Sequence, residues 1–239
     1  MSQMQDNLPV GRRFDGKLRD FVTCEVKKQS NGYYIRVDTF DPGSVKECLR
    51  NYSDIDVKDK VVLDLGANIG GFAKMAVDAG AKQVIAVEPC PDNFAMLQLN
   101  SPKSLNLNAA VSEHSDPKCA FYYATSQRNS VSSSTAKRRN SSDISVEVDS
   151  YNFSALLEQY RPQVLKIDIE GKEYDLLDTI DKIPDFVETV AIEFHKTSGR
   201  FKEYPARFFD PNLWEVTEHP IMMFKQKKVF DFTFKRKAA

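Results

Sequence analysis

Acidic residues stand within or directly after three apolar segments of the chain, at positions that a ligand can reach. Asp64 lies in VVLDL, Glu88 follows QVIAV, and Asp168 follows VLKI. A carboxylate at such a position can receive an ammonium group, accept hydrogen bonds from hydroxyls or take up a proton. This pattern predicts a site that combines the binding of a polar cofactor with acid–base chemistry.

The loop after VVLDL is rich in glycine and gives this segment the form DxGxNxG. A dinucleotide fingerprint needs a glycine two positions after its first glycine, and Asn68 stands there. The loop therefore argues against a diphosphate ligand. Gly66 and Gly70 leave bare backbone for a compact ligand, which together with Asp64 suits the amino-acid half of S-adenosylmethionine. Either glycine alone is more simply explained by an ordinary turn.

Glu88 adds the second half of the cofactor prediction. At the switch point of a parallel sheet, an acid at the end of the second strand can bind both hydroxyls of a ribose. Taken alone, Glu88 is more simply a solvated strand end. Taken together with the DxGxNxG loop, it favours a cofactor with an amino-acid part and a nucleoside part, which S-adenosylmethionine has.

Alternating strands and helices have to position these residues. Runs that are apolar throughout, such as VVLDL and QVIAV, are typical of parallel strands covered on both faces. Helices are predicted after Gly70 and from Pro91, a residue type favoured in the first helical turn. The segments 213–217 and 228–234 predict an antiparallel hairpin with one buried face. The other predicted elements are a strand within Leu105–Val111, a helix over Tyr151–Tyr160, a strand at Val164–Ile169, a helix around Leu176–Ile180 and a strand at Phe186–Phe194.

This order of elements predicts an α/β fold with a mostly parallel sheet. We expect a single domain over residues 33–239, preceded by a loosely structured N-terminal arm at residues 1–32. The alternation of strands and helices is interrupted by the Ser/Arg-rich segment 125–143, TSQRNSVSSSTAKRRNSSD. This segment contains almost no apolar side chains that a core could bury. It is predicted to be a mobile loop that covers the site or binds the acceptor.

Composition excludes several classes of protein. The 239 residues are 41% hydrophobic and 28% charged, which rules out a disordered or collagenous chain. The net charge of −1 predicts no polyanionic partner. The four cysteines lack CxxC spacing, which argues against a zinc knuckle or a disulfide framework. No apolar run approaches the ~18 residues of a membrane span, and no signal segment is visible, so a soluble, cytoplasmic protein is expected.

Three strings of the sequence carry a family resemblance. They are VVLDLGANIGGFAKMAVDAGAKQVIAVEPCPDN, then NAAVS at 108–112, and LKIDIEGKEYDLL at 165–177, of which KIDIEGKE is the most specific part. Over about residues 35–234 the chain resembles the FkbM-type S-adenosylmethionine-dependent methyltransferases. The resemblance implies a class I methyltransferase fold, Rossmann-like, with a seven-stranded sheet whose last strand is antiparallel.

The resemblance also implies O-methylation, usually of a sugar or polyketide hydroxyl, so the expected acceptor is a small molecule or a glycan. By similarity, the loop binds the methionine part of the cofactor, Glu88 binds the ribose, and the stretch 108–111 binds the adenine. The segment 125–143 is not part of the family pattern, so it does not identify the acceptor. The implied cofactor-binding residues are Asp64, Gly66, Ala67, Asn68, Gly70, Glu88, Asn108, Ala109 and Ala110.

Methylation of a hydroxyl requires a group that orients the acceptor and removes its proton. We predict Asp168 and Glu170, after the fourth strand, and His195, after the fifth, as the catalytic residues. The structural alternatives are that Asp168 caps a helix and that His195 is a surface histidine. Glu173 is interpreted as a first-turn acid of a helix. Asp168 and Glu193 could also hold Mg²⁺ or Ca²⁺, although no ligand spacing requires a metal.

Two other functions stay open at this point. The basic residues of segment 125–143, Arg128, Lys137, Arg138 and Arg139, could hold phosphates, as in an RNA 2′-O-methyltransferase. A nucleic-acid enzyme, however, usually shows a broader positive face. The other alternative is a methyltransferase-like subunit that binds the cofactor or a partner without turnover, against which the intact DxGxNxG loop and Glu88 argue.

Overall fold

The computed structural model describes residues 11–15, 20–123, 135, 145–195, 203–219 and 229–237. The Ser/Arg-rich segment 125–143, predicted to be a loop over the site, lies outside these residues except for Thr135. Among the described residues, no helix is both long and apolar enough to cross a bilayer.

The described residues form fourteen strands and six helices. The strands are β1 (Gly11–Asp15), β2 (Asp20–Cys24), β3 (Val26–Lys28), β4 (Tyr34–Arg36), β5 (Val61–Leu65), β6 (Gln83–Val87), β7 (Leu105–Leu107), β8 (Ala109–Ser112), β9 (Lys118–Tyr122), β10 (Ser145–Asn152), β11 (Val164–Ile167), β12 (Thr189–His195), β13 (Trp214–His219) and β14 (Val229–Arg236). The helices are α1 (Asp41–Tyr52), α2 (Gly71–Asp78), α3 (Pro91–Asn100), α4 (Phe153–Tyr160), α5 (Glu173–Leu177) and α6 (Glu203–Phe208).

The central sheet contains seven strands in the order β13-β14-β12-β11-β5-β6-β7. The pairs from β12 to β7 are all parallel, whereas β14 pairs antiparallel with both β12 and β13. This confirms the predicted class I methyltransferase fold with its antiparallel C-terminal hairpin. Because parallel strands end at the same edge of a sheet, the topology brings the C-terminal ends of β5, β6, β11 and β12 together.

Apolar side chains cover both faces of this sheet, as the continuous apolar runs predict. Leu63 of β5 packs in the cluster that contains side chains of α4 and α5. Its neighbour Val62 packs in a different cluster, with side chains of α1 and α2. Since side chains alternate along a strand, Asp64 lies on the same face as Val62 and is enclosed between the sheet and these two helices.

A second, three-stranded sheet departs from the sequence prediction. The strand predicted within Leu105–Val111 is divided, so that β7 stays in the central sheet while β8 pairs with β10, which also pairs with β9. The division falls at Asn108, whose Nδ2 donates to the carbonyl oxygen of Glu88 at 2.8 Å. Phe121 of β9 packs with Ala110 of β8, so this sheet forms a wall beside the end of β6.

Within the arm predicted at residues 1–32, the described residues 11–15, 20–24 and 26–28 form strands. In this part β1 pairs with β2 and β3 pairs with β4, in antiparallel hairpins. Arg12 binds Asp92 of α3 with 2.6 Å between Nε and Oδ1, and Val26 is buried. The expectation of a loose arm is therefore wrong for β1 to β3. An ion pair and a few buried side chains hold them, and neither produces a periodic apolar pattern in the sequence.

Candidate active site

A cavity opens at the C-terminal ends of β5, β6 and β11, beside the second sheet. About 600 Å³ of space lies between its lining atoms, open solvent included. Thr135, from the Ser/Arg-rich segment, is part of its lining. The lining residues are Gly66, Asn68, Val87, Glu88, Pro89, Asn93, Ala109, Ala110, Val111, Phe121, Thr135, Asp168, Ile169 and Glu170.

The structure brings only part of the predicted site to this cavity. Among the predicted catalytic residues, Asp168 and Glu170 line it, whereas His195 lies outside the lining. The predicted cofactor residues that line it are Gly66, Asn68, Glu88, Ala109 and Ala110. The predicted cofactor residues outside the lining are Asp64, Ala67, Gly70 and Asn108.

The glycine loop is held by contacts within the protein. The amide of Gly66 donates to the carbonyl oxygen of Val87 at 3.0 Å. Gly66 has a φ of +78°, and a Cβ there would lie 1.7 Å from the carbonyl oxygen of Asp168. Gly70 has a φ of +87°, and a Cβ there would lie 2.9 Å from Cδ1 of Leu97. The positive φ at both positions and the close approach of Asp168 to Gly66 therefore favour glycine without any ligand, in keeping with the ordinary turn weighed in the sequence analysis.

Glu88 lies directly after β6 and is only 5% exposed, so it is not a solvated strand end. Its Oε2 accepts a hydrogen bond from the amide of Asn68 at 2.8 Å, and its Oε1 accepts one from the amide of Cys90 at 2.9 Å. Burial raises the pKa of Glu88 to about 7, against the lowering effect of these amides. Because each carboxylate oxygen has a second lone pair, Glu88 can still accept hydrogen bonds from a ligand in the cavity.

Lys166 is a buried cation in β11 that the sequence analysis did not single out. Its Nζ lies 3.3 Å from Oδ1 of Asp64, 3.3 Å from the carbonyl oxygen of Gly66 and 3.5 Å from Oδ2 of Asp168. Burial alone would lower the pKa of Lys166, but Asp64 and Asp168 raise it above its usual value. A lysine within the apolar run VLKI was the available signal, since lysine is almost never buried without a partner.

Asp64 lies behind the glycine loop and is fully buried. Burial raises the pKa of its carboxyl group, and the ammonium group of Lys166 opposes this rise. The nearest cation to Asp64 is thus Lys166, 3.3 Å from its Oδ1, and the role of Asp64 as the receptor of a ligand's ammonium group stays a prediction.

His195 ends β12 and is held between two glutamates. Its Nε2 lies 3.2 Å from Oε2 of Glu170, and its Nδ1 lies 3.0 Å from Oε1 of Glu173. Burial would lower the pKa of His195, but the two carboxylates raise it well above its usual value of 6.5. The ring is therefore an imidazolium at neutral pH and a poor proton acceptor. At 9% exposure it is also not the surface histidine considered as the structural alternative.

Backbone conformation brings these two glutamates to the ring. Glu170 has a φ of +59° and Gly171 a φ of +108°, so the chain turns sharply after β11. The amide of Gly171 donates to Oε1 of Glu173 at 2.9 Å. Glu173 is a first-turn acid of α5, as interpreted from the sequence, but its side chain is fully buried against His195. No spacing in the sequence could reveal this contact, because Glu173 belongs to α5 and His195 to β12.

Asp168 and Glu193 share the space beside His195, and potential ligand atoms of these three residues lie within 4.8 Å of one another. Burial would raise the pKa of Asp168, but Lys166 and His195 lower it below its usual value. Burial and the charge of Asp168 raise the pKa of Glu193 well above its usual value, so Glu193 is the member of this pair that keeps its proton to higher pH. Asp64, Glu170 and Glu173 share the charge of Lys166 and His195, so this group remains a candidate site for the divalent cation that the sequence analysis allowed.

The seven-stranded sheet with its reversed strand, and the cavity at the switch point of that sheet, define a class I S-adenosylmethionine-dependent methyltransferase. A family model described as "Methyltransferase FkbM domain" matches residues 64–227 of the sequence. The chain belongs to this FkbM methyltransferase family, as the three sequence strings predicted. No curated protein sequence matches the chain significantly.

Many solved structures are similar to this chain at low sequence identity. M. jannaschii TYW2 in complex with AdoMet is 14% identical, with a TM-score of 0.46, and the match covers 90% of this chain and 87% of that one. An rRNA methylase from Streptococcus thermophilus is 11% identical, with a TM-score of 0.45 and coverage of 81% and 94%. A putative hemolysin from Streptococcus thermophilus is 12% identical, with a TM-score of 0.47 and coverage of 91% and 74%.

Proposed function

We propose that this protein transfers the methyl group of S-adenosylmethionine to a hydroxyl of a sugar or of another small-molecule or glycan acceptor. In this proposal Glu88 binds the ribose hydroxyls, Ala109–Ala110 contact the adenine, and the loop at Asn68 holds the methionine part. The observation that carries the proposal is the position of Asp168. Asp168 lines the cavity, and its backbone carbonyl oxygen packs against Gly66 of the cofactor loop.

Two other predicted cofactor residues, Ala67 and Asn108, make hydrogen bonds that hold the cofactor loop and Glu88 in place. The amide of Ala67 donates to the carbonyl oxygen of Val87 at 3.0 Å and so fixes the loop to β6. Asn108 holds the carbonyl oxygen of Glu88 at 2.8 Å. We therefore assign to Ala67 and Asn108 the role of positioning the ligand-binding residues.

The transfer itself requires an oxygen nucleophile, an aligned methyl group and a proton acceptor. The O–CH₃ bond forms while the S–CH₃ bond breaks, and the electron pair of the broken bond stays on the sulfur of S-adenosylhomocysteine. The hydroxyl becomes strongly acidic as the new bond forms, so a carboxylate with a low pKa suffices to take its proton. We assign this role to Asp168, which Lys166 keeps ionised and oriented.

Glu170 offers a second carboxylate at the acceptor end of the cavity. It lines the cavity, and its side chain is fixed by His195. We assign to Glu170 the binding of a further hydroxyl of the acceptor, and to His195 the positioning of Glu170. Two carboxylates at this end suit a polyhydroxylated acceptor, because each can accept hydrogen bonds from hydroxyl groups.

The same charges argue against RNA as the acceptor. Asp168 and Glu170 line the cavity, whereas the cation closest to Asp168, Lys166, is 5% exposed. A phosphodiester placed beside these carboxylates would be repelled. The basic residues that suggested RNA belong to segment 125–143 and lie outside the described residues.

The experiment that tests this function is methyl transfer from S-adenosylmethionine labelled in its methyl group. The full chain is incubated with a fractionated extract of the host, treated or untreated with ribonuclease, and the labelled product is identified by mass spectrometry. We expect an ether-linked label on a ribonuclease-resistant small molecule or glycan. Label that is lost with ribonuclease would favour the RNA alternative. Cofactor binding without transfer to any fraction would favour the non-catalytic alternative.

A further inference from the structure

We propose that the hairpin of β1 and β2 is part of the cofactor site, because it holds two walls of the cavity in position at the end assigned to the nucleoside. In this inference Phe121 contacts the adenine, and Arg12 and Phe21 of the hairpin are positioning residues. The inference rests on the cofactor site proposed above. No pattern in the sequence pointed to it, since residues 1–32 were predicted to form a loose arm.

The first wall is the second sheet, where Phe121 of β9 lines the cavity. Phe121 is 2% exposed and packs in one cluster with Ala110 of β8, a residue assigned above to the adenine. An aromatic ring beside a methyl group provides the apolar surface that a flat base requires. Phe121 therefore has the position of a further adenine contact.

Three aromatic rings connect this wall to the hairpin. Phe121 contacts Tyr123 edge to face, with ring centroids 5.6 Å apart and ring planes at 82°. Tyr123 contacts Phe21 of β2 in the same way, with centroids 5.0 Å apart and planes at 81°. Tyr123 is buried, so the rings that pack on it restrict its orientation. Phe21 therefore limits the movement of Phe121 through Tyr123.

The second wall is the start of α3, where Asn93 lines the cavity. Arg12 of β1 holds this helix by an ion pair, with 2.6 Å between its Nε and Oδ1 of Asp92. The backbone of β1 holds the same helix through Arg36, which is buried. Nη1 of Arg36 donates to the carbonyl oxygen of Arg12 at 3.2 Å, and Nη2 of Arg36 donates to Oδ1 of Asn93 at 2.8 Å. Strand β1 is thus fixed to the part of α3 that faces the cavity.

Arg12 joins these two connections, because its Cζ lies 4.3 Å from the centroid of the Phe21 ring. A planar guanidinium can pair with a carboxylate at its edge while its face packs on an aromatic ring. The hairpin therefore bridges the second sheet and α3. A nucleoside that binds beside both walls meets a preorganised cavity while the hairpin is in place, and has to order the walls when these contacts are lost.

The test is the affinity for S-adenosylhomocysteine, measured by calorimetry with the full chain. Phe21→Ala removes the ring that packs on Tyr123, whereas Phe21→Tyr keeps a ring at this position. Arg12→Ala removes both the ion pair with Asp92 and the contact with the Phe21 ring. The side chain of Arg12 is 52% exposed, so Arg12→Ala tests the inference even if Phe21→Ala does not fold.

Arg207→Ala is the matched control, because Arg207 makes the same two kinds of contact elsewhere. Its Nη1 lies 2.7 Å from Oδ1 of Asp178, and its Cζ lies 4.7 Å from the centroid of the Phe208 ring. Arg207 belongs to α6 and lies outside the lining of the cavity. The free energy of unfolding of each variant is measured by urea denaturation, so that binding is compared only between folded proteins.

For Phe21→Ala and for Arg12→Ala we expect the affinity to fall by about two- to tenfold, the effect of one lost aromatic or cation–π contact. Phe21→Tyr and Arg207→Ala should bind the ligand like the parent. Because coupling between two sites is reciprocal, S-adenosylhomocysteine should in turn slow the exchange of the amide hydrogens of β1 and β2 with solvent in the parent. Mass spectrometry measures this exchange with and without the ligand.

A merely structural role of the hairpin would lower the free energy of unfolding but leave the affinity of the folded protein unchanged. Parent affinity in both alanine variants, or an exchange rate in the hairpin that the ligand does not change, would overturn the inference. Glu88→Gln separates the inference from the function on which it rests. If Glu88→Gln weakens binding and the hairpin variants do not, only the role of the hairpin is wrong. If the parent itself does not bind S-adenosylhomocysteine, the proposed cofactor site and this inference are both wrong.

Discussion

The carbonyl oxygen of Asp168 occupies the place where a side chain of Gly66 would begin, because a Cβ on Gly66 would lie 1.7 Å from it. The loop proposed to hold the cofactor and the residue proposed to take the proton are thus packed backbone against backbone. Lys166 joins them a second time, since its Nζ contacts both the carbonyl oxygen of Gly66 and the carboxylate of Asp168. A displacement of the loop must therefore also displace Asp168, which couples the position of the methyl donor to that of the proton acceptor.

Gly66→Ala should destabilise the protein by about 3 kcal/mol or more, because the new Cβ would force two backbone segments apart in addition to the strain of a positive φ. Urea denaturation gives the free energy of unfolding. Gly80→Ala is the matched control. Gly80 has a φ of +85°, but the atom nearest to a Cβ there is Cγ of Lys58 at 3.8 Å, so only about 1–2 kcal/mol is expected. Equal losses in the two variants would mean that the contact with Asp168 contributes nothing.

Lys166→Met should destabilise the protein by about 3–5 kcal/mol, because it leaves the carboxylates of Asp64 and Asp168 without their buried cation. Adding Asp64→Asn to this variant should recover part of the loss, since one uncompensated charge is then removed. A double-mutant cycle with urea denaturation measures the coupling between Lys166 and Asp64. A coupling energy near zero would contradict the ion pair seen at 3.3 Å.

The central sheet was predictable because its inner parallel strands β5, β6, β11 and β12 are apolar over most of their length. An apolar run can be recognised within one strand, without knowing which strands pair with it. The N-terminal hairpins were not predictable in the same way, since the contact of Arg12 with Asp92 joins residues 80 positions apart. The second sheet was missed for a different reason: the side chains of β10 alternate, but only Val148 among them is fully buried, so the strand lacks an apolar run.

The residues of the candidate site also differ in whether the local sequence reveals them. Glu88 and Asp168 were found because each directly follows an apolar strand, which is a property of the local sequence. The contact of Glu173 was not found, because its partner His195 belongs to another element. Sequence spacing thus identifies residues at strand ends but not the buried side chains that orient them.

The stability of the unliganded protein should fall as the pH rises through neutrality, in part because of Glu88. The pKa of Glu88 is about 7 in the folded chain because of burial, above its usual value of about 4.3. The folded state therefore binds more protons than the unfolded state between these values, so this contribution is complete at low pH and is lost as the pH rises through about 7. Urea denaturation at pH 5, 6, 7 and 8 should show a decline of the order of 2–3 kcal/mol from this group. Glu88→Gln should flatten that part of the profile, and an unchanged slope would show that Glu88 does not titrate as described.

Asp168→Asn separates methyl transfer from cofactor binding. The substitution keeps the shape of the side chain but removes the negative charge that orients the hydroxyl and takes its proton. Loss of a positioned general base typically costs ~10²–10⁴ in rate, so we expect a decrease of this size in single-turnover methyl transfer at saturating S-adenosylmethionine. The acceptor is the one identified by the labelling experiment. The affinity for the cofactor, measured separately by calorimetry, should change little, because the ribose and adenine contacts are assigned to other residues.

The matched control for this variant is Asp175→Asn, which makes the same change at an acid of α5 that binds Lys172 and does not line the cavity. It should transfer methyl at the rate of the parent. If Asp168→Asn also transfers methyl within a few-fold of the parent rate, the end of β11 does not supply the proton acceptor. Because His195 is held as an imidazolium between Glu170 and Glu173, that result would point to Glu193, whose pKa falls when the charge of Asp168 is removed, so that its carboxyl group can ionise and accept the proton.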